Sequence, residues 1–246
     1  MKVLGVIPAR FASTRFPGKP LAMIGNKSMI ERVYQQAALA NGLDAVIVAT
    51  DDIRISDHVK SFGGEVVMTS TNHPSGTDRC AEAVSKFGKD WNAVINIQGD
   101  EPFIKPEQID LLVDCFSDVN VQIATLIKII ENTSELINPN SPKVILKQNG
   151  DAIYFSRQPI PFLKGIEIAE WFKNNTYYKH IGIYGYRTDI LPILTKLPQG
   201  KLELAESLEQ LRWIENGFTI RTKITDFETI AIDTPEDLNR AKLMLD

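Results

Sequence analysis

Apolar residues fall into short solid runs and longer spaced arrays, and the two alternate through the first hundred positions. Residues 3–7 (VLGVI) form an apolar run of strand length, bounded by Pro8 and Arg10. From 28 to 41, Ile30, Val33, Ala37 and Ala40 recur at helical spacing, with Ser28 and Glu31 as a capping box and Gly42 as a stop. Residues 45–49 read as a second buried strand, after which Thr50 and Asp51 open a polar helix to about Phe62. A third strand at 65–68, a helix at 77–87 stopped by Gly88 and a fourth strand at 94–97 complete the alternation. This pattern predicts an α/β fold: a mostly parallel sheet with helices on both faces.

The second half changes character. Residues 121–129, 143–147 and 152–156 are β-rich, and Asn149-Gly150 is a hairpin turn signal. A further strand is expected at 177–186 and an amphipathic helix at 203–215, with Leu204, Leu208 and Leu211 on one face. Short strands follow at 219–224 and 229–232. Thr234-Pro235-Glu236-Asp237 then opens a last helix with an N-cap, a proline at N1 and acids in the first turn. There is neither an internal repeat nor a low-complexity linker. The shift in composition near residue 100 predicts one domain, 1–246, in two lobes, 1–100 and a β-rich 101–246.

Charge sharpens this picture. The chain has a net charge of −4, yet between Val3 and Ile30 it carries Arg10, Arg15, Lys19 and Lys27 and no acid. An acidic protein is a poor general nucleic-acid binder. A local basic loop directly after a core strand instead suits a small polyphosphate, which free N–H groups and fixed cations would hold; a solvated basic loop is the plainer reading. Cys80 and Cys115 are too few for a disulfide framework or a zinc site and are expected as buried thiols. No apolar run reaches membrane-spanning length, and Pro8 and Arg10 cut the first one short of a signal peptide. A cytoplasmic protein without membrane or nucleic-acid partners is expected.

The chain lacks the G-x-G-x-x-G of dinucleotide folds, a Walker A sequence and a G-x-S-x-G elbow, and its three histidines have no metal-ligand spacing. What remains are isolated polar groups just past strand ends, where open α/β sheets bind ligands. Asp100 follows the strand in VINIQGDEP; it is either a magnesium ligand working with a polyphosphate or a turn residue capping its own loop. Asp233, before Thr-Pro, is a metal ligand or a helix-cap support. The loop NHPSGTDR (72–79) opens a helix; it grips a base or ribose, with Arg79 on the ligand, or is a simple N-cap with Arg79 on the surface. His180, in a strand, has a structural role as its default. Glu209 and Gln210 have solvent exposure as theirs.

Taken in order, IPARFASTRFPGKPL, VATDD, GGEVVMTS, HPSGTDR, VINIQGDEP, YFSRQPIP, HIGIYGYR, LELAESLEQLRW and AIDTPEDL resemble the 3-deoxy-manno-octulosonate (Kdo) cytidylyltransferases over nearly the whole chain. The basic loop is shared with other nucleotidyltransferases, including CMP-sialate synthetases; HIGIYGYR with LEQLRW is more particular. The resemblance implies a nucleotide-diphospho-sugar transferase-like fold and a homodimer. It also implies the reaction of CTP with Kdo to give CMP-Kdo and diphosphate with Mg²⁺, for lipopolysaccharide biosynthesis. Lobe 1–100 would bind CTP, and lobe 101–246 would bind sugar and dimerise. It carries the nucleotide contacts onto Ala9, Arg10, Ser13, Arg15, Lys19, Ser75, Gly76, Thr77, Arg79 and Gln98. The metal falls to Asp100 and Asp233, and the sugar to Gln98, Arg157, His180, Tyr184, Glu209 and Gln210. Arg10, Lys19, Asp100 and Asp233 would be the catalytic set. Where the family often has an arginine-bearing stretch after YFSRQPIP, this chain offers only Lys164, and lysine does not match a carboxylate as arginine does. The alternatives are CMP transfer to 8-amino-Kdo or sialate, or a non-catalytic nucleotide-binding protein.

Overall fold

The computed structural model describes residues 1–12, 15–88, 90–228 and 230–243. Strand β1 (Val3–Ala9) leads through a 3-10 turn at Lys19–Leu21 into the small hairpin β2 (Met23–Ile24) and β3 (Lys27–Ser28). Then follow α1 (Met29–Ala38), β4 (Ala45–Thr50), α2 (Ile53–Ser61), β5 (Glu65–Met68), α3 (Gly76–Phe87), β6 (Ala93–Asn96) and α4 (Pro106–Cys115). The second half runs β7 (Ile123–Ile129), α5 (Thr133–Ile137), β8 (Lys143–Leu146), β9 (Ala152–Ser156), α6 (Trp171–Asn174), β10 (Tyr178–Arg187) and α7 (Leu191–Leu194). It ends with α8 (Lys201–Glu206), α9 (Gln210–Glu215), β11 (Ile220–Ile224) and α10 (Pro235–Lys242).

The main sheet has the order β11-β7-β10-β6-β1-β4-β5, with the β8–β9 hairpin paired to β10. Strands β6, β1, β4 and β5 are mutually parallel, whereas β10 runs antiparallel between β6 and β7. Side chains alternate across β1. Val3, Ile7 and Ala9 enter the layer formed with α1, α2 and α4, while Leu4 and Val6 enter the layer shared with α3, α7 and α9. Burying both faces is why these strands read as solid apolar runs. Each buried branched side chain contributes about 1.5–3 kcal/mol.

Three elements depart from the sequence pattern. The helix expected at 203–215 is two short helices, broken where Ser207 adopts the left-handed conformation at φ 52°. Tertiary partners compensate the break: the Arg157 guanidinium takes the carbonyls of Glu206 and Ser207, and Ser156 Oγ and Arg157 N–H bind the Glu206 carboxylate. The strand expected at 229–232 does not form over 230–232, and Thr229 lies outside the described residues. Asp52, not Thr50 or Asp51, caps α2 by accepting from Arg54 N–H. Helix α4 is a further element beyond the alternation read above, and Pro106 at N1 with Ile109, Leu112 and Cys115 at three-residue spacing is its signal.

Candidate active site

The register of the parallel strands sets the site. Ala9 of β1 pairs with Thr50 of β4, and Val6 pairs with Asn96 of β6, so the three strands release their chains at one edge. Arg10, Asp51 and the loop 97–100 therefore leave side by side. Gly18 turns the basic loop back: its φ of 71° is left-handed, its N–H donates to Phe11 O at 2.9 Å, and a Cβ there would meet the Phe11 ring at 3.1 Å. The turn places Lys19 so that Nζ donates to Asp100 Oδ2 at 2.6 Å and to Asp233 Oδ1 at 3.2 Å. Arg15 also reaches Asp233 Oδ1, at 3.1 Å.

Asp233 is brought there by its neighbour. Ile232 is fully buried against Ile24 and Met29, and its N–H donates to Asp100 O at 2.9 Å, which sets the two aspartates side by side. Thr234 and Asp237 form the capping box of α10 immediately after, so the cap role foreseen for this stretch belongs to them and leaves the Asp233 carboxylate free to face Lys19. Gly99 lets the Asp100 loop lie on β1, since a Cβ would stand 2.8 Å from Pro8 O, a backbone atom with nowhere to go. Gly99→Ala is expected to lower stability by about 1–3 kcal/mol through overpacking and to cut activity by displacing Asp100. Paired denaturant unfolding and turnover measurements check this, and unchanged values in both would contradict it.

These groups line a cavity of about 300 Å³. Of the sequence-derived nucleotide set, Ala9, Arg10, Arg15, Lys19, Ser75, Gly76, Arg79 and Gln98 line it together with Asp100 and Asp233. Thr77 is buried at the start of α3, and Ser13 lies outside the described residues. Pro8, Pro20, His73, Pro74 and Gly99 also line the cavity and were not singled out from the sequence. His73 was readable as part of the polar loop, but its anchor was not. Its ring bonds the Glu82 carboxylate. Burial opposes ionisation of Glu82, but bonds from Lys86, Ser70 N–H and His73 prevail and hold it at about 2.

Arg79 is neither a surface residue nor a free arm. It is 3% exposed, donates to Asp51 Oδ2 at 2.8 Å and Thr69 Oγ1 at 2.6 Å, and presents a side to the cavity. Ser75 caps α3 by accepting from Asp78 N–H, and its hydroxyl and that of Thr77 both face the Glu209 carboxylate. Glu209 and Gln210, expected in solvent, are thus turned inward by the break at Ser207. Burial raises the Glu209 carboxyl above its usual range, against Arg212 and the two hydroxyls.

Beside this clasp, His180 and Tyr184 project from β10. Tyr184 stacks on Tyr186 at 6.0 Å, and Trp213 of α9 meets both edge-on at 5.1 and 5.5 Å. The Tyr184 and Tyr186 hydroxyls, Gln210 Nε2 and Asn96 Oδ1 are buried without hydrogen-bond partners among the described residues. His180 Nε2 lies 3.0 Å from Thr125 Oγ1, whose single proton is directed at the carbonyls of Ile181 and Ile183. With that proton on a carbonyl the histidine donates, as the Nε2–H tautomer with Nδ1 an acceptor.

Burial pushes the His180 imidazole down to about 3. With the folded value below the unfolded one, the unfolded chain binds more protons between them, so stability rises with pH across that window. Its loss on acidification from about pH 6.5 toward 3 should reach about 1.4 kcal/mol per pH unit from this one group. His180→Gln is expected to flatten that slope in pH-resolved unfolding; an unaltered slope would contradict the assignment.

Of the sequence-derived sugar contacts Gln98 lines the cavity, whereas His180, Tyr184, Glu209 and Gln210 stand outside its lining, as do Arg157 and Lys164. Every guanidinium nitrogen of Arg157 is engaged by a carbonyl of Glu206, Pro139 or Ser207, which finishes the C-terminus of α8. Lys164 is exposed on the 158–170 loop, outside the cavity lining. Gln98 is anchored by its Nε2 donating to Gly182 O at 3.0 Å, between the cavity and β10.

The residues fit a divalent cation that shares its coordination with phosphates. The ammonium of Lys19 already stands between the Asp100 and Asp233 carboxylates as a cation. Among the described residues no group of three or more His, Cys, Asp or Glu side chains could hold a metal alone. One or two carboxylates completed by substrate oxygens is the arrangement a small hard cation takes.

The cytidylyltransferase family profile matches residues 4–225. A 3-deoxy-manno-octulosonate cytidylyltransferase of Parabacteroides distasonis is 58% identical over 249 residues, spanning all of this chain and 98% of that protein. One of Thermodesulfovibrio yellowstonii is 51% identical over 251 residues, with the same coverage. The structure of a CMP:2-keto-3-deoxy-manno-octonic acid synthetase complexed with CTP superposes with a TM-score of 0.92 at 40% identity, covering 100% of this chain and 98% of that one. A cytidylyltransferase from Leptospira borgpetersenii shares the fold alone, at TM-score 0.63 and 18% identity over 98% of this chain and 85% of that one. The basic loop, the paired aspartates and the helix-capped polar loop thus lie in a chain that belongs to the 3-deoxy-manno-octulosonate cytidylyltransferase family.

Proposed function

We propose that this enzyme transfers CMP from CTP to the anomeric hydroxyl of Kdo in the cavity at the ends of β1, β4 and β6. The observation that carries the reading is the Lys19 ammonium held between two aspartates far apart in the chain, Asp100 and Asp233. The hydroxyl oxygen attacks the α-phosphorus, the bond to the bridging oxygen of the β-phosphate breaks, diphosphate leaves and the hydroxyl proton is released. The protein forms no covalent bond in such a step, so positioning and charge stabilisation account for the acceleration.

Arg10, Arg15 and Lys19 face the phosphates and stabilise the charge that grows on the leaving diphosphate. Ser75, Gly76 and Thr77 form the wall behind the nucleoside, with Arg79 and Gln98 at its edge. A Mg²⁺ ion would be held by Asp100 and Asp233, and when bound it supplies Lewis acidity that neutralises phosphate charge and favours ionisation of the attacking hydroxyl. Kdo is placed beside Gln98, which lines the cavity and bonds Gly182 of β10, the strand that carries His180 and Tyr184. Glu209 and Gln210, at the start of α9, complete the sugar set that the family resemblance implies. Arg157 and Lys164 have no part in this reading. The enzyme is proposed to act as a homodimer in the cytoplasm, as the family resemblance implies. Among the described residues no helix is long and apolar enough to cross a membrane.

The test is diphosphate release from CTP with Kdo, run with UTP, sialate and 8-amino-Kdo as controls. Turnover with CTP and Kdo is expected to cease on chelation and to return with Mg²⁺. Turnover with sialate or 8-amino-Kdo alone would overturn the sugar assignment, and metal-dependent CTP binding without turnover on any acid sugar would overturn the enzyme reading.

A further inference from the structure

We propose that Asp51, aided by Thr69, is a positioning residue that fixes the Arg79 guanidinium and through it sets the preference for a cytosine over a uracil ring. This rests on the reading of Arg79 as a nucleoside contact. From the sequence Asp51 is a helix opener, but Asp52 takes that task, leaving the Asp51 carboxylate free to turn toward Arg79. The pair is sheltered, with side-chain exposures of 14% for Asp51 and 4% for Arg79. Thr69 is held in turn, because its N–H donates to Thr50 O at 2.8 Å and continues the β4–β5 pairing. Arg79 is thereby fastened to the ends of two strands of the rigid sheet.

Strand order gives that anchorage its meaning. Asp100 follows β6, Asp51 follows β4 and Thr69 follows β5, in the sequence β6-β1-β4-β5 across the sheet. At about 4.8 Å per strand, Asp51 leaves the sheet roughly 10 Å from the exit of β6. A nucleotide whose phosphates lie at the Lys19 end therefore extends its base toward Arg79 across the end of β1. A guanidinium has five N–H donors and no acceptor. Asp51 and Thr69 take two of the five, and the residue still lines the cavity. Cytosine presents adjacent acceptors at O2 and N3, whereas uracil presents a donor at N3. A donor-only group held in one orientation donates to the first and is opposed by the N3–H of the second, and an unanchored one can swing away from the mismatch.

The test compares Asp51→Ala, Asp51→Asn, Thr69→Val, Arg79→Ala and the Asp51→Ala/Arg79→Ala double variant. KM and kcat are measured for CTP, with UTP as substrate or competitive inhibitor. Arg79→Ala is expected to raise the KM for CTP by about tenfold or more and to collapse the CTP-to-UTP ratio. Asp51→Ala should move both in the same direction by about tenfold with kcat within about threefold, Thr69→Val by less, and Asp51→Asn, which still accepts a hydrogen bond, should restore most of the ratio. The double variant should be no worse than Arg79→Ala, because Asp51 acts only through the arginine.

If Asp51→Ala does not fold, as judged by circular dichroism and thermal melting, Asp51→Asn and Thr69→Val decide by the same ratio. A collapse in Arg79→Ala with the ratio intact in the folded Asp51 and Thr69 variants overturns the positioning role alone. Multiplied losses in the double variant do the same. An unchanged KM and ratio in Arg79→Ala overturn the nucleoside reading and the inference with it.

Discussion

Lys19→Ala is expected to cost about 3 kcal/mol of transition-state stabilisation, roughly a hundredfold in kcat/KM, the magnitude typical of removing one fixed charge or donor from a developing oxyanion. Lys19 donates to both Asp100 and Asp233. Its removal therefore takes a positive charge from the phosphates and also leaves two carboxylates facing each other without the group that separates them. Both aspartates keep access to water, with side-chain exposures of 27% and 38%, so the fold should survive. Lys19→Arg should recover part of the charge but not the geometry, because a planar fork cannot sit as a point charge between two acids. Steady-state kinetics decide; wild-type turnover in Lys19→Ala would remove the residue from the mechanism.

The largest effect on stability should come from Trp213→Ala, at about 3–5 kcal/mol. Trp213 is 1% exposed and meets the stacked rings of Tyr184 and Tyr186 edge-on, so truncation opens a cavity behind the proposed sugar site. Packing explains why the loss should be large. The two tyrosines belong to a strand paired on both sides by β6 and β7, and cannot follow the void inward without breaking that ladder. Trp213→Phe, which keeps an aromatic edge, should lose much less. Denaturant unfolding measures both, and a loss below about 1 kcal/mol in the alanine variant would contradict the packing argument. Since Gln210 lies on the same short helix, the alanine variant should also weaken sugar binding more than nucleotide binding.

Short-range signals were readable where they act locally. The solid apolar runs became β1, β4 and β6, Ser28 and Thr234 became N-caps, and Gly88 ended α3. Even the break in the 203–215 pattern was hidden for a local reason: leucine spacing records which face is apolar, whereas the carbonyls freed at Ser207 are satisfied by Arg157, fifty positions away. Arg157, a sugar contact only by the family resemblance, is taken up by those carbonyls. A cation beside a motif has the same sequence signature whether it meets a substrate or caps a helix.

The parallel sheet, the acid-free basic loop after its first strand and the aspartates just past strand ends are all legible in the residue order alone. Each of these depends on neighbours a few positions apart. Which charges meet depends on how the distant segments pack. Asp233 stands beside Asp100 because Ile232 is buried and bonds the Asp100 carbonyl across more than 130 positions. Arg79 is turned to Asp51 by the order of the strands, and Glu209 is turned to Ser75 and Thr77 by the break between α8 and α9. Side chains far apart in the chain meet only where packing of both layers fixes the path of the backbone, and that path is a property of the whole core and not of any one segment.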